Sequence, residues 1–244
     1  MGKSNERFNS GFLRIMNVLR KIQRSISTIV LNTVGLNVVN YRNNTIVEDP
    51  ALVRQLMALR EEARAFQSFE ELLNIHSLSN KVSALAGDFA ELGVYKGGTA
   101  RLIAMNKGQK EFHLFDSFEG MVDTTPHDIH QKGDFRDTSL ENVRAYLNGF
   151  EKLSFHQGWF PATTKNLEQR SFAFVHLDVD LFQSTLDALQ FFYPRLVPGG
   201  MLLSHDYNSL SCPGVAKAYK EFFSEKPEVI VELAGTSQCL IIKR

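Results

Sequence analysis

Two aspartates, Asp178 and Asp180, close the apolar run Phe172–Leu177 in SFAFVHLDVDLFQST. Unpaired charge at the tip of a buried strand is costly, so a compensating metal ion, cofactor or reacting hydroxyl is expected there. A second polar pair, His205-Asp206, ends MLLSHD. On adjacent parallel strands, Asp178, His205 and Asp206 form a candidate metal set. Oxygen ligands with water suit Mg²⁺, whereas His205 accommodates Mn²⁺ or a softer ion better. A metal there lowers the pKa of a substrate hydroxyl while a carboxylate takes its proton. The simpler uses are a helix cap for Asp180 and structural packing for His205.

The other candidates also sit where apolar runs end. ELGVYKGGTA carries Glu91, Gly93, Gly97, Gly98 and Thr99. A glycine turn lets a ligand approach the backbone, and the helix after it presents free N–H groups. The spacing is not the dinucleotide fingerprint G-x-G-x-x-G. Glu91 would repel a pyrophosphate but would hold an amino-acid ammonium, and S-adenosylmethionine has such a group and no phosphate. FDSFEG places Asp116 and Ser117 at the next strand end, where an acid meets ribose hydroxyls in doubly wound folds. HQGWF offers Gly158 for close approach and Trp159 for stacking on a base. His127 and His130 lie in a polar loop, 117–136, read as solvated or as a substrate lid. Cys212 reads as structural, because no neighbour in sequence nominates a base for it.

These residues need a scaffold that brings strand ends together. From Gly87 onward, short apolar strands alternate with helices: 88–94, 112–116, 153–158, 172–178 and 201–206 read as strands. Thr138 and Glu141 form a capping box before one helix, Ser184 with Asp187 opens another, and Pro198-Gly199-Gly200 leads into the fifth strand. The last two apolar runs read as a hairpin. The fold class is therefore α/β, a doubly wound, mostly parallel seven-stranded sheet (Rossmann-like) with an antiparallel C-terminal hairpin. Residues 1–80 read as a helical appendage or acceptor cap, with Asp49-Pro50 opening a helix, and 81–244 as the catalytic domain.

Composition sets the outer limits. Lys+Arg and Asp+Glu are both 27 in 244 residues, which argues against nucleic-acid binding. Two cysteines are too few for a disulfide framework and fit a cytoplasmic protein. No apolar run reaches transmembrane length. Residues 12–30 pattern as a basic amphipathic helix that packs on its own domain or on a second subunit, or touches a membrane surface.

Taken together, ELGVYKGGTA, FDSFEGM, HLDVDLFQSTLDAL, FYPRLVPGG and HDYNSLSCPGVAKAY resemble the macrocin O-methyltransferase family over roughly 85–243. The resemblance implies a class I S-adenosylmethionine-dependent methyltransferase acting on sugar or natural-product hydroxyls with Mg²⁺. It places Glu91 and Gly93 by the methionine moiety, Asp116 and Ser117 at the ribose, Asp178 and Asp206 on the metal, and Asp178 or Asp180 as general base. The chain departs from the family pattern at His205, where an acid is usual, and at Phe182, where tyrosine is common. His205 then replaces a metal ligand, acts as base itself, or marks a metal-independent variant. Two other readings remain: a glycosyltransferase using Asp178-x-Asp180, and an idle binding protein that keeps the fold.

Overall fold

The run Phe172–Leu177 is buried at all six positions, as an apolar strand covered on both faces must be. The structure is a computed structural model; it describes the backbone of 38–40 and 45–46 and residues 49–62, 64–121 and 124–244. The amphipathic stretch 12–30 lies outside the described residues.

The chain divides into units of residues 1–58 and 59–244. In the first, β1 (Val38–Asn40) and β2 (Thr45–Ile46) pair antiparallel. Helix α1 (Pro50–Glu61) crosses the division and opens as expected at Asp49, whose Oδ1 accepts from the Ala51 N–H at 2.8 Å. The second unit runs α2 (Phe69–Lys81), β3 (Asp88–Leu92), α3 (Gly98–Ala104), β4 (Phe112–Asp116), α4 (Leu140–Tyr146), β5 (Leu153–Gln157), β6 (Phe172–Leu177), α5 (Phe182–Phe192), β7 (Leu196–Ser204), α6 (Pro213–Phe223), β8 (Val231–Glu232) and β9 (Cys239–Ile242).

Strand order is β5-β4-β3-β6-β7-β9-β8. The first five are parallel, and β9 runs antiparallel between β7 and β8, the predicted hairpin. Helices lie on both sides; α2 packs on α3, and α5 on α6. The order reverses between β3 and β6, so a crevice opens at their carboxyl ends. Beneath it, Phe115, Phe172 and Phe192 are fully buried, with the Phe172 and Phe192 rings 5.1 Å apart.

Four local expectations are corrected. Residues 59–80, read as part of the appendage, belong with the sheet-bearing unit, because α2 buries Phe69, Leu72 and Ile75. Helix α4 is capped by Ser139, not Thr138: the Ser139 Oγ accepts from Asn142 N at 3.2 Å, while the Thr138 hydroxyl donates to the Tyr95 carbonyl. Helix α5 starts at Phe182 rather than Ser184, since Asp128 Oδ1 accepts from the Phe182 N–H at 2.7 Å and supplies the cap from another loop. Strand β7 already begins at Leu196 and runs through Pro198-Gly199-Gly200.

Candidate active site

The sheet ladder continues past its strands and levels their ends. Gly93 N donates to Phe115 O at 3.0 Å, Asp178 N to Leu92 O at 2.9 Å, His205 N to Leu177 O at 2.9 Å and Gly158 N to Asp116 O at 3.0 Å. One row of backbone bonds thus sets the residues that follow β3, β5, β6 and β7 level with the end of β4. Gly93 is required for this. Its φ is +91°, and a Cβ there would lie 1.9 Å from the Asp178 carbonyl oxygen.

Above the row is a cavity of about 390 Å³, within the size range of small-molecule sites. Gly93, Thr99, Asp116 and Ser117 line one side, Gly158 and Trp159 another, and Asp178, Asp180, His205 and Asp206 the far wall. Glu91, Gly97 and Gly98 do not line it. Glu91 is fully buried below the glycine turn, where its Oε1 lies 2.8 Å from His176 Nδ1. The parallel register makes the two residues cross-strand partners. Burial pushes the Glu91 carboxyl up, against the pull of His176.

Asp116 ties the cavity's two glycine-side loops together. Its Oδ2 accepts from Val94 N and Tyr95 N, both at 2.8 Å, and its Oδ1 from Phe118 N at 2.7 Å. Burial raises its pKa, and these three bonds oppose the rise. Ser117 shapes the same loop by donating to Gly120 O at 2.8 Å.

The far wall is a knot of acids around one imidazole. His205 Nδ1 lies 2.7 Å from Asp206 Oδ2 and 3.2 Å from Asp178 Oδ1, and its Nε2 lies 3.3 Å from Glu71 Oε2. Desolvation alone would lower the His205 pKa; the charges and hydrogen bonds of Asp178, Asp206 and Glu71 reverse this and raise it well above its ordinary value. Asp180 goes the other way for a carboxyl. Burial, its hydrogen bond with Asp206 and the Asp178 charge hold it well above the usual range. Asp206 is lowered despite burial, because His205 and Asp180 both donate to it. Asp180 and Asp206 adopt left-handed φ of 60° and 62°; such strain collects at functional sites.

Sequence reasoning missed Gln67 and Glu71. Gln67 Nε2 donates to Asp178 Oδ2 at 2.6 Å, and its buried Oε1 has no partner among the described residues. Glu71 is the N3 residue of a capping box with Ser68 and also accepts from Ser237 N and Oγ, both at 2.8 Å. The Ser68-x-x-Glu71 pattern was the available signal for the helix start. His130 also joins the wall: its Nε2 lies 3.6 Å from Cys212 Sγ, which donates to Asp180 Oδ1 at 3.5 Å. Burial and the nearby Asp180 and Asp206 push the Cys212 thiol up to about 12, so it stays protonated. His127 instead packs edge to face against Phe182, with ring centres 5.0 Å apart. Phe66, Tyr95 and Phe135 form an aromatic cluster, with ring centres 5.6 to 6.0 Å apart, on the cavity wall.

A divalent metal fits this wall poorly. The acids around His205 already have protein donors: Asp178 has Gln67, Asp180 has Cys212, Asp206 has His205, and Glu71 has Ser68 and Ser237. A nucleoside cofactor fits better, since Asp116 keeps one free lone pair on Oδ1 beside the glycine turn and Gln67 Oε1 is an unused acceptor on the cavity wall.

A sequence model described as macrocin-O-methyltransferase (TylF) matches residues 59–232, well over half of the chain. A 4'-O-methyltransferase from Streptomyces olivaceus, named for an 8-demethyl-8-(2,3-dimethoxy-alpha-L-rhamnosyl)-tetracenomycin C, is 32% identical over 167 residues, 62% of this chain and 64% of the relative. The chain spans 58 to 64% of the length of the curated relatives it matches. The structure of the O-methyltransferase NovP superposes with TM-score 0.64 at 23% identity, covering 72% of this chain and 80% of that one. The O-methyltransferase TomG from Streptomyces achromogenes, in complex with SAM, superposes with TM-score 0.53 at 14% identity, covering 81% and 92%. Fold, strand-end motifs and sequence agree: the chain belongs to the macrocin O-methyltransferase family.

Proposed function

We propose that this protein is an S-adenosylmethionine-dependent O-methyltransferase, and that its acceptor is a sugar or natural-product hydroxyl. The observation that carries the reading is one cavity with Asp116 and a glycine turn on one side and the Asp178–Asp180–His205–Asp206 wall on the other. The relatives named for O-methylation support it, as does the SAM-bound neighbour.

When bound, S-adenosylmethionine supplies an electrophilic methyl on a positively charged sulfur. Asp116 would hold a ribose hydroxyl with its remaining lone pair, and Trp159 would cover the base. Gly93 and Thr99 line the place for the amino-acid end. Asp180 is the best general base. Both Asp178 oxygens are engaged, by Gln67 and His205, and Asp206 by the 2.7 Å contact with His205, whereas Asp180 meets Asp206 and the weak donor Cys212 Sγ at 3.5 Å. The raised proton affinity of Asp180 suits a group that must take a hydroxyl proton; a cation in the cavity would favour its ionised form. Positioning and charge complementarity then provide most of the rate. The expected Mg²⁺ has no step in this reading, because the donor set does not fit it. A cytoplasmic location belongs to the same reading; among the described residues no helix is long and apolar enough to cross a membrane.

Calorimetry of the purified chain with S-adenosylmethionine tests the proposal. Saturable binding is expected, weakened at least roughly tenfold by Asp116→Ala, which removes one charge-assisted contact. Absence of binding by folded protein, or binding of a nucleotide sugar instead, would sink it and bring forward the glycosyltransferase reading of Asp178-x-Asp180. Binding without methyl transfer to any glycoside would favour an idle scaffold.

A further inference from the structure

Asp178, His205 and Asp206 bring ligand atoms within 4.8 Å of one another, a spacing that would admit a metal ion. The detailed geometry points elsewhere. His205 Nδ1 is aligned on Asp206 Oδ2 at 2.7 Å, the distance of a charge-assisted hydrogen bond. An ion bonded to Nδ1 would lie ~2.1 Å out along that same direction, in the space the carboxylate oxygen occupies. The other ring nitrogen also faces an acid, Glu71, at 3.3 Å, close enough for ion pairing though not aligned as a hydrogen bond. Glu71 is held ionised by Ser68 N, Ser237 N and Ser237 Oγ. A carboxylate has no proton to give, and the ring has Asp206 and Asp178 at Nδ1 and Glu71 near Nε2, so the surrounding negative charge favours the doubly protonated, cationic ring.

We propose that His205 is the site's built-in cation: its ring takes the position between Asp178 and Asp206 that a divalent ion would need, and the site works without a metal. Three elements contribute the surrounding acids: Glu71 from α2, Asp178 from the end of β6, and Asp206 from the end of β7, with Asp180 facing Asp206. One positive ring among these groups offsets part of their mutual repulsion. A neutral residue at 205 would leave the acids open to an external ion. The inference concerns the same cavity as the methyl-transfer reading, but its test does not require an acceptor.

The experiment uses the full chain stripped with chelator and Mn²⁺ as probe, followed through the electron paramagnetic resonance signal of the free ion. Wild-type protein is expected to leave the signal undiminished. His205→Asp and His205→Gln are expected to take up Mn²⁺ more tightly, by roughly tenfold or more, since the ligand charge left unmatched sets hard-ion affinity. Wild-type uptake that disappears in His205→Gln overturns the proposal and makes His205 a ligand. Variants that bind no better than wild type overturn it too, because the acids would then have no unmet demand for a cation. If neither variant folds, the nitrogen NMR shifts of His205 in the wild type decide: two protonated ring nitrogens at neutral pH support the proposal, and one refutes it. Calorimetry with S-adenosylmethionine, with and without chelator, reports separately on the cofactor. Its failure would remove the methyl-transfer reading and leave the Mn²⁺ result standing.

Discussion

Replacing Asp116 with asparagine tests how the cofactor side of the cavity is built. The carboxylate accepts from Val94 N and Tyr95 N on one oxygen and from Phe118 N on the other. An amide of the same shape has a single acceptor oxygen. Turned to keep the first two bonds, it aims its NH₂ at the Phe118 N–H, so one bond is lost and two donors face each other. A hydrogen bond to a charged group contributes about 1.5–3 kcal/mol. The two retained bonds also weaken once their acceptor is neutral. Asp116→Asn should therefore cost about 2–4 kcal/mol of stability with no ligand present. Urea unfolding at pH 7, followed by the fluorescence of the single tryptophan, measures this directly. A loss below about 0.5 kcal/mol, the level of an ordinary surface change, would refute the reasoning. Asp116 would then serve the ligand alone, and its three backbone bonds would carry nothing in the free protein.

Further outcomes follow from the same geometry. Gly93→Ala puts a methyl against the Asp178 carbonyl at a positive φ; overpacking and backbone strain together should cost ~3 kcal/mol or more, a fall in Tm of about 6–12 °C for a chain of this size. A variant melting within about 2 °C of wild type would mean that the strand-end row can shift. Burial, and then the neighbouring His113 with its Nδ1 3.0 Å away, lower the His156 pKa from 6.5 to about 4. The unfolded chain therefore takes up that proton more readily, so this contribution to stability is complete above pH 6.5 and is lost as pH falls towards 4. Unfolding free energy should decline across that window, and His156→Gln should flatten the slope; an unchanged slope would assign the decline to other groups. Glu71 and Asp206, whose carboxyls are depressed, act at lower pH, below their ordinary values.

Much of the fold was legible because its signals are local. The Phe172–Leu177 run announces a strand covered on both sides, and the alternation of strands with helices leaves little choice but parallel pairing. The rule that ligands sit at the carboxyl ends then located Asp116, Asp178, His205 and Asp206 on one cavity. Contacts distant in sequence were not legible. Gln67 meets Asp178 across 111 positions and Glu71 meets Ser237 across 166, and no periodicity in α2 signals either. Glu91 was misread for a related reason. Its charge looked available to a ligand until the register set it opposite His176, a pairing that depends on how two strands slide against each other. At α4 two adjacent hydroxyls competed for one cap, and the loser, Thr138, found a carbonyl elsewhere.

The position of β6 between β3 and β7 has a consequence for how the protein is made. During synthesis β3, β4 and β5 are complete before β6 exists, so the growing chain carries β3 as an open edge with a buried-type sequence. The wall of the cavity forms only when β6 inserts and β7 pairs with it, and Glu71 gains its Ser237 partner later still. An N-terminal fragment that ends before β6 carries the Asp116 side of the cavity but none of the Asp178–Asp180–His205–Asp206 wall. A ligand that touches both sides of the cavity therefore needs the finished fold, and by mass action adds about 2.7 kcal/mol to stability at a hundred times its Kd. Supply of that ligand then governs how long each molecule survives as well as how fast it works.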